Sequence, residues 1–455
     1  MSNLNTNRII ENSKFNRFHA MILFWGTFII ILDGYDLAVY GAVLPVLIED
    51  WGLSNVEAGA MGSYGLIGVM IGAFFFGPLA DRVGRKNVIL ICFVLFSLFT
   101  GLCGIADSPT TFSTYRFIAG LGLGGIMPNV IALMTDYSPK SMRSLTVSII
   151  LCGYSVGGML APALSIYLIP SYGWEIVYMI TAAPLILLPF MWKYLPDATV
   201  FLAAKGRTEE LRQIMNKINP AGNYTEKDHF EKIDIKQEAG IPVIQLFKNN
   251  RALSTSMFWI AYFMCLLVVY GLSTWLPKLM MQAGYGLNSS LSFLIIMHAG
   301  TIVGTLIIAK LADRYGSKKM LVPMYTIGAI CLFLMSFKSD LWVICLLVAI
   351  TGACTVGAQN IANAYVSQYY PPFLRSTALG VASGVGRIGA ILGPTIGGIL
   401  LTMNLPIQIN FLAFAIPGVI ASIAFFFIPV KNAYDYTEKT EDSDINESDT
   451  NSKVI

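Results

Sequence analysis

Long apolar runs, each broken by only a few polar residues, recur from one end of the chain to the other, and their lengths decide the fold before any motif does. Runs long enough to cross a bilayer, about 20 residues of helix each, cover 20–48, 55–79, 88–106, 111–134, 144–169 and 173–195, and then 253–280, 289–311, 320–337, 340–366, 376–402 and 407–430. The pattern predicts an all-α integral membrane protein with twelve transmembrane helices. Polar stretches divide it into an N-terminal six-helix bundle over 1–195, a central loop over 196–252, a C-terminal bundle over 253–430 and a disordered acidic tail over 431–455. Inside the loop, Thr208 to Ile218 reads as a short surface helix.

Composition agrees with that class and narrows it. The 455 residues are 55% hydrophobic and 13% charged, against about 25% charged in an ordinary soluble domain. A net charge of +3, with no basic tract and no zinc-type spacing, gives no reason to expect nucleic acid or a metal. The seven cysteines lie inside apolar segments at no paired spacing, so they read as packing residues. Orientation follows from the short loops. With the N-terminus inside, Arg82, Arg85, Lys86, Lys140, Arg143, Arg314, Lys318, Lys319 and Arg375 fall inside, and only Lys278 and Lys338 lie near outer loops. The expected placement is the plasma (inner) membrane, with both termini cytoplasmic.

An internal repeat orders the two bundles. Leu79-Ala80-Asp81-Arg82-x-Gly84-x-Lys86 recurs as Leu311-Ala312-Asp313-Arg314-x-Gly316-x-Lys318, 232 positions later. In the same register Gly120 meets Gly352, Tyr137 meets Tyr369, Arg143 meets Arg375, Gly157 meets Gly389 and Pro162 meets Pro394. Six spans separate the copies, so the halves share one membrane orientation, the parallel arrangement of many transporters.

The polar residues inside the spans carry the chemistry. A carboxylate at membrane depth costs about 2.5 kcal/mol or more, so such acids are kept for function and face an interior. Asp33 and Asp36 in the first span are three residues apart, on one helix face, with Gly34 between them leaving room for a neighbour. They are the candidates for a proton site. Arg387, about 13 residues into the eleventh span, sits near mid-membrane and offers a planar fork for a carboxylate. It is assigned to a substrate carboxylate, the alternative being a buried partner for Asp33 or Asp36. Arg116 in the fourth span lies at a depth Asp36 could share, which permits a structural ion pair between the first and fourth helices. Tyr35 supplies a ring for stacking, and Gln359 and Asn363 offer hydrogen bonds to ring substituents. His298 is either a substrate or proton contact or a packing residue.

The segment Gly77-Pro78-Leu79-Ala80-Asp81-Arg82-Val83-Gly84-Arg85-Lys86 resembles the signature loop of the major facilitator superfamily. Within it, Asp33-Gly34-Tyr35-Asp36 and the Gly386-to-Pro394 stretch around Arg387 resemble the aromatic acid:proton symporters, and the benzoate branch above all. The resemblance implies import of an aromatic monocarboxylate, such as benzoate or a hydroxybenzoate, with protons by alternating access. It also implies a proton-coupling role for Arg116, a functional monomer, and no cofactor beyond the proton gradient. Gly77, Asp81, Arg82, Gly84, Arg85, Lys86, Asp313 and Arg314 would form a cytoplasmic gate, weaker in the second copy because Ser317 replaces the usual arginine. The rival readings are a facilitator for another organic anion, nicotinate-like or non-aromatic, and a drug:proton antiporter, against which Arg387 counts. A sensor or enzyme would need a soluble domain, and the longest polar segment, roughly 55 residues, is too short and too poor in apolar residues to build one.

Overall fold

The computed structural model describes residues 3–4, 6–225, 229–230, 242–337, 339–371, 374–430 and 433. The predicted acidic tail and Lys338 therefore fall outside the described residues, Ala433 excepted, as do the side chains of Asp81 and Asp313. Among the described residues twelve helices are long and apolar enough to span a membrane. We label them α1 (Arg17–Trp51), α2 (Asn55–Val83), α3 (Arg85–Cys103), α4 (Pro109–Tyr137), α5 (Arg143–Tyr172), α6 (Glu175–Tyr194), α7 (Ala252–Gln282), α8 (Leu287–Tyr315), α9 (Ser317–Leu334), α10 (Leu341–Tyr369), α11 (Arg375–Thr402) and α12 (Ile407–Phe427). The protein is a multi-pass membrane protein. Apart from a parallel bridge of Asn3–Leu4 with His229–Phe230, the regular structure is helical. All seven cysteines are free.

The helix ends follow local chemistry. Asn16 caps α1 in a capping box with His19, and Ser54 with Glu57 does the same for α2, each satisfying amide groups the first turn leaves open. Two spans depart from regular α-helix. α6 contains a 3₁₀ stretch, Ile180–Leu187, around Pro184. α10 contains a π-turn, Ala353–Gly357, a feature that clusters at functional sites.

The chain divides into two compact units, Met1–Gln237 and Glu238–Ile455. Within each, the closest helix pairs meet through glycine. In the first unit a side chain at Gly34 would overlap the Tyr154 carbonyl, and one at Gly157 the Ile31 carbonyl, so α1 and α5 are in backbone contact. α2 and α4 meet likewise through Gly68 on Phe117, Gly72 on Leu121 and Gly120 on Gly65. The second unit repeats these seats with the same 232-residue offset. Gly389 rests on Phe263, Gly300 on Ala349, Gly304 on Ala353 and Gly352 on Met297. Gly157→Ala is expected to remove most folded protein from detergent extracts, read by size-exclusion chromatography of a fluorescent fusion, because the clash is with backbone that cannot turn aside.

The central loop packs more closely than a surface helix would. Helix Thr208–Ile218 buries Leu211, Ile214, Met215 and Ile218 in the first unit's core beside Ile10 and Phe18. Asn16 donates from Nδ2 to the Lys217 and Ile218 carbonyls at 2.8 and 3.0 Å, closing that helix's C-terminal end.

Candidate functional site

In the first unit three helices converge on one carboxylate. Asp36 of α1 is 2% exposed, and its Oδ1 accepts from Arg116 Nη1 of α4 at 2.8 Å and from the Thr100 hydroxyl of α3 at 2.6 Å. Arg116 is 7% exposed and its guanidinium lies in contact distance of Gly65. The guanidinium also faces the Tyr40 ring, 5.7 Å from its centroid. Tyr40 is held by its hydroxyl donating to the Ala58 carbonyl. The depth match between Asp36 and Arg116 is thus an actual ion pair, buried on both sides. Aromatic packing continues from this pair to one end of the unit. Tyr40 meets Phe112, which meets Trp174 and Tyr178, and Trp51 stacks edge-on to Phe112 and Trp174 at 5.7 and 5.4 Å.

The other first-span candidates have separate surroundings. Asp33 is half-buried one turn earlier. Tyr35 is 4% exposed and its hydroxyl donates to the Val177 carbonyl of α6 at 2.8 Å, which places it in a helix-to-helix tie.

In the second unit α7 organises the polar groups. Arg387 of α11 is half-buried and its Nη1 donates to the Tyr270 hydroxyl at 3.4 Å; among the described residues of its unit it makes no ion pair. Two turns earlier on α7, the Tyr262 hydroxyl donates to Asn363 Oδ1 of α10 at 2.8 Å. Gln359 and Asn363 follow directly on the π-turn, and Gln359 Oε1 is buried without a partner among the described residues. His298 of α8 is 1% exposed and neither ring nitrogen has a partner there. No hydrogen bond joins His298 or Gln359 to Asn363 or Arg387 among the described residues.

At the α2–α3 loop the two signature copies diverge. Gly84 and Gly316 have φ of +94° and +93°, a conformation costly for any residue with a Cβ, which explains the glycine in both copies. In the first copy Arg85 forms an ion pair with Asp136 of α4. In the second, the corresponding Ser317 and Gln368 make a neutral hydrogen bond at 3.4 Å, a weaker contact than an ion pair. Asp197, which no sequence motif marked, packs beside the first copy. Its Oδ1 accepts from the Ala198 amide at 2.9 Å and the Lys86 amide at 3.4 Å, an anion at the α3 N-terminus. Its backbone carbonyl accepts from Tyr137, as the Pro429 carbonyl accepts from Tyr369 in the second copy. Lys86 sits 5.6 Å from the Trp192 ring; Arg82 and Arg314 are exposed, and the space around Gly77 is open.

Two six-helix units built on one repeat, one burying an acid–base pair and the other holding an arginine with no ion-pair partner among the described residues of its unit, define a multi-pass membrane protein. The chain belongs to the Major Facilitator Superfamily, whose family model matches residues 26–305 and 291–448. It is 43% identical over 438 residues to the benzoate transport protein of Acinetobacter baylyi, covering 95% of this chain and 94% of that one. It is 34% identical to the gallate transporter of Pseudomonas putida, covering 91% and 93%. Among solved structures, the partially occluded inward-open xylose transporter XylE from E. coli matches with a TM-score of 0.70 at 16% identity, covering 91% of this chain and 98% of that one. That likeness shows the shared fold.

Proposed function

We propose that the protein is a proton-coupled symporter that imports an aromatic monocarboxylate, benzoate or a hydroxybenzoate, by alternating access, working as a monomer with both termini in the cytoplasm. The observation that carries this reading is Arg387: a permanent cation inside a span, with no carboxylate partner among the described residues of its unit and only a tyrosine hydroxyl beside it. An arginine in a membrane interior needs an anion, and a substrate carboxylate supplies one through two parallel hydrogen bonds. Tyr270 would share that carboxylate, while Asn363, Gln359 and His298 would meet the ring. Asp36 and Asp33 would take up the proton, with Arg116 holding Asp36 in its charged form until the proton arrives. The proton gradient is the energy source and no cofactor takes part. The similarity to relatives named for benzoate and gallate transport supports the substrate class.

The test is accumulation of labelled benzoate by cells expressing the intact protein at acid external pH. Uptake several-fold above control cells, collapsing on addition of a protonophore, is the expected result. Uptake unaffected by the protonophore would remove proton coupling. No benzoate uptake by well-expressed protein, with nicotinate or a non-aromatic carboxylate accumulated instead, would replace the substrate and leave the role of Arg387 standing.

A further inference from the structure

Thr100 spends its one hydroxyl proton on a carboxylate of another helix. A threonine in a helix often returns that proton to the carbonyl four residues earlier. Thr135, Thr301, Thr351 and Thr402 all do so, at 2.8 to 3.1 Å. Thr100, 0% exposed, instead donates across to Asp36 Oδ1 at 2.6 Å, the same oxygen that Arg116 reaches. Its counterpart in the second repeat is Leu332, and those of Asp36 and Arg116 are Val268 and Val348. The helix packing therefore does not need a polar group at any of the three positions.

We propose that Thr100 is the positioning residue that sets the pH at which Asp36 takes its proton, a role resting on the reading of Asp36 as a proton site. The argument is one of donor and acceptor capacity. Arg116 has only donors, so it favours the carboxylate and can do nothing for the protonated acid. A hydroxyl both donates and accepts, and switches by turning about one bond. With Asp36 ionised, Thr100 donates to it. When a proton joins the carboxylate, the new carboxyl O–H can donate to Thr100 Oγ1, while the Thr100 proton turns back to the Phe96 carbonyl four residues earlier. The Asp36 carboxyl is thus hydrogen-bonded to Thr100 in both states without a helix moving, in a packed site where it is 2% exposed.

The other titratable groups facing this site leave Thr100 as the group able to make that exchange. From α1, Tyr35 and Tyr40 have their hydroxyls on the Val177 and Ala58 carbonyls. From α3 itself, the Cys103 thiol is turned to the Phe99 carbonyl at 3.3 Å and the Phe112 carbonyl at 3.9 Å. From α4 comes Arg116. From α6, Tyr178 is buried with its hydroxyl lacking a partner among the described residues, and it interacts electrostatically with both Arg116 and Asp36 but hydrogen-bonds neither. Asp33, one turn earlier on α1, is half-buried.

The experiment compares wild type, Thr100→Val, Thr100→Ser and Asp36→Asn in proteoliposomes with labelled benzoate. It reads gradient-driven accumulation across pH and, separately, counterflow exchange, which needs a folded carrier but no net proton movement. Removing a hydrogen bond to a charged group disfavours the ionised form. Thr100 bonds both forms, but the bond to the charged one is the stronger, so in Thr100→Val the pH of half-maximal accumulation is expected to rise by about one unit. Thr100→Ser keeps the hydroxyl and returns the profile to within a few tenths of a unit of wild type. Asp36→Asn is expected to lose accumulation and keep exchange. If Thr100→Val gives the wild-type profile, or one scaled down equally at every pH, while Asp36→Asn behaves as stated, the role of Thr100 is overturned and that of Asp36 stands. If Asp36→Asn still accumulates benzoate, the proton-site reading falls and the role of Thr100 falls with it. Thermal unfolding of each variant separates misfolding from both outcomes.

Discussion

Replacing Arg387 by glutamine is expected to lower benzoate uptake by about two orders of magnitude or more, with the protein still present in the membrane at its normal level. Taking the charged half from a desolvated, hydrogen-bonded ion pair costs about 2–5 kcal/mol, and a factor of ten needs only about 1.4 kcal/mol. Arg387 makes no ion pair within its unit among the described residues, so the free protein loses little when it is removed. The loss belongs to the loaded state. Lysine should not rescue it, because a point charge cannot reproduce two parallel bonds to a planar carboxylate. The measurement is uptake rate against substrate concentration for wild type, Arg387→Gln and Arg387→Lys, normalised to protein in the membrane. Wild-type uptake in Arg387→Gln would end the assignment of this residue and leave the carrier intact.

The second large effect separates two roles that single substitutions confuse. Cutting Arg116 to valine strands a buried carboxylate, and cutting Asp36 to valine, which unlike asparagine leaves no acceptor for the guanidinium, strands a buried cation; either should destabilise the first unit by about 3–5 kcal/mol. Transport then fails whether the pair is a structural clasp or a proton site. The repeat supplies the informative variant. At the corresponding positions of the second unit stand Val268 and Val348, both buried, at 2% and 0% exposure. The double variant Asp36→Val with Arg116→Val should therefore recover thermal stability to near wild type, since apolar replacement of a buried ion pair is often neutral or stabilising. Proton-driven accumulation should remain absent. Accumulation restored along with stability would mean that the pair is a clasp and that the proton binds elsewhere.

The scaffold was largely legible in the chain, and the reason lies in what a repeat preserves. Apolar run length marked the twelve spans, and matched residues from Asp81 to Pro162 marked the 232-residue offset. The structure carries that register back to Ile31, whose counterpart is Phe263, and forward to Asp197, whose counterpart is Pro429. Neither pair looks alike in the sequence, because the repeated interaction is made by a backbone carbonyl, which any residue has. The site was legible where a charge stood in an apolar run, as at Asp36, Arg116 and Arg387. It was not legible where the contributing group is ordinary in a membrane helix. Thr100 is one hydroxyl among many in the spans, Tyr270 one ring among 21 tyrosines, and only three-dimensional proximity sets them apart. The π-turn before Gln359 left no mark in a run of small and apolar residues.

Gly34 and Gly157 also bear on how a local event at Asp36 becomes a displacement. Where two helices meet through side chains, a shift of one is absorbed by rotamer changes in the other. At these two seats there is no side chain to turn: each glycine lies on the opposite helix's carbonyl, and the seats sit on either side of Asp33 in the α1 sequence. The seam has little slack there. α1 and α5 are therefore expected to shift together, so that the exposed face of α5 with Leu160 and Tyr167 follows any displacement of the helix that carries Asp36.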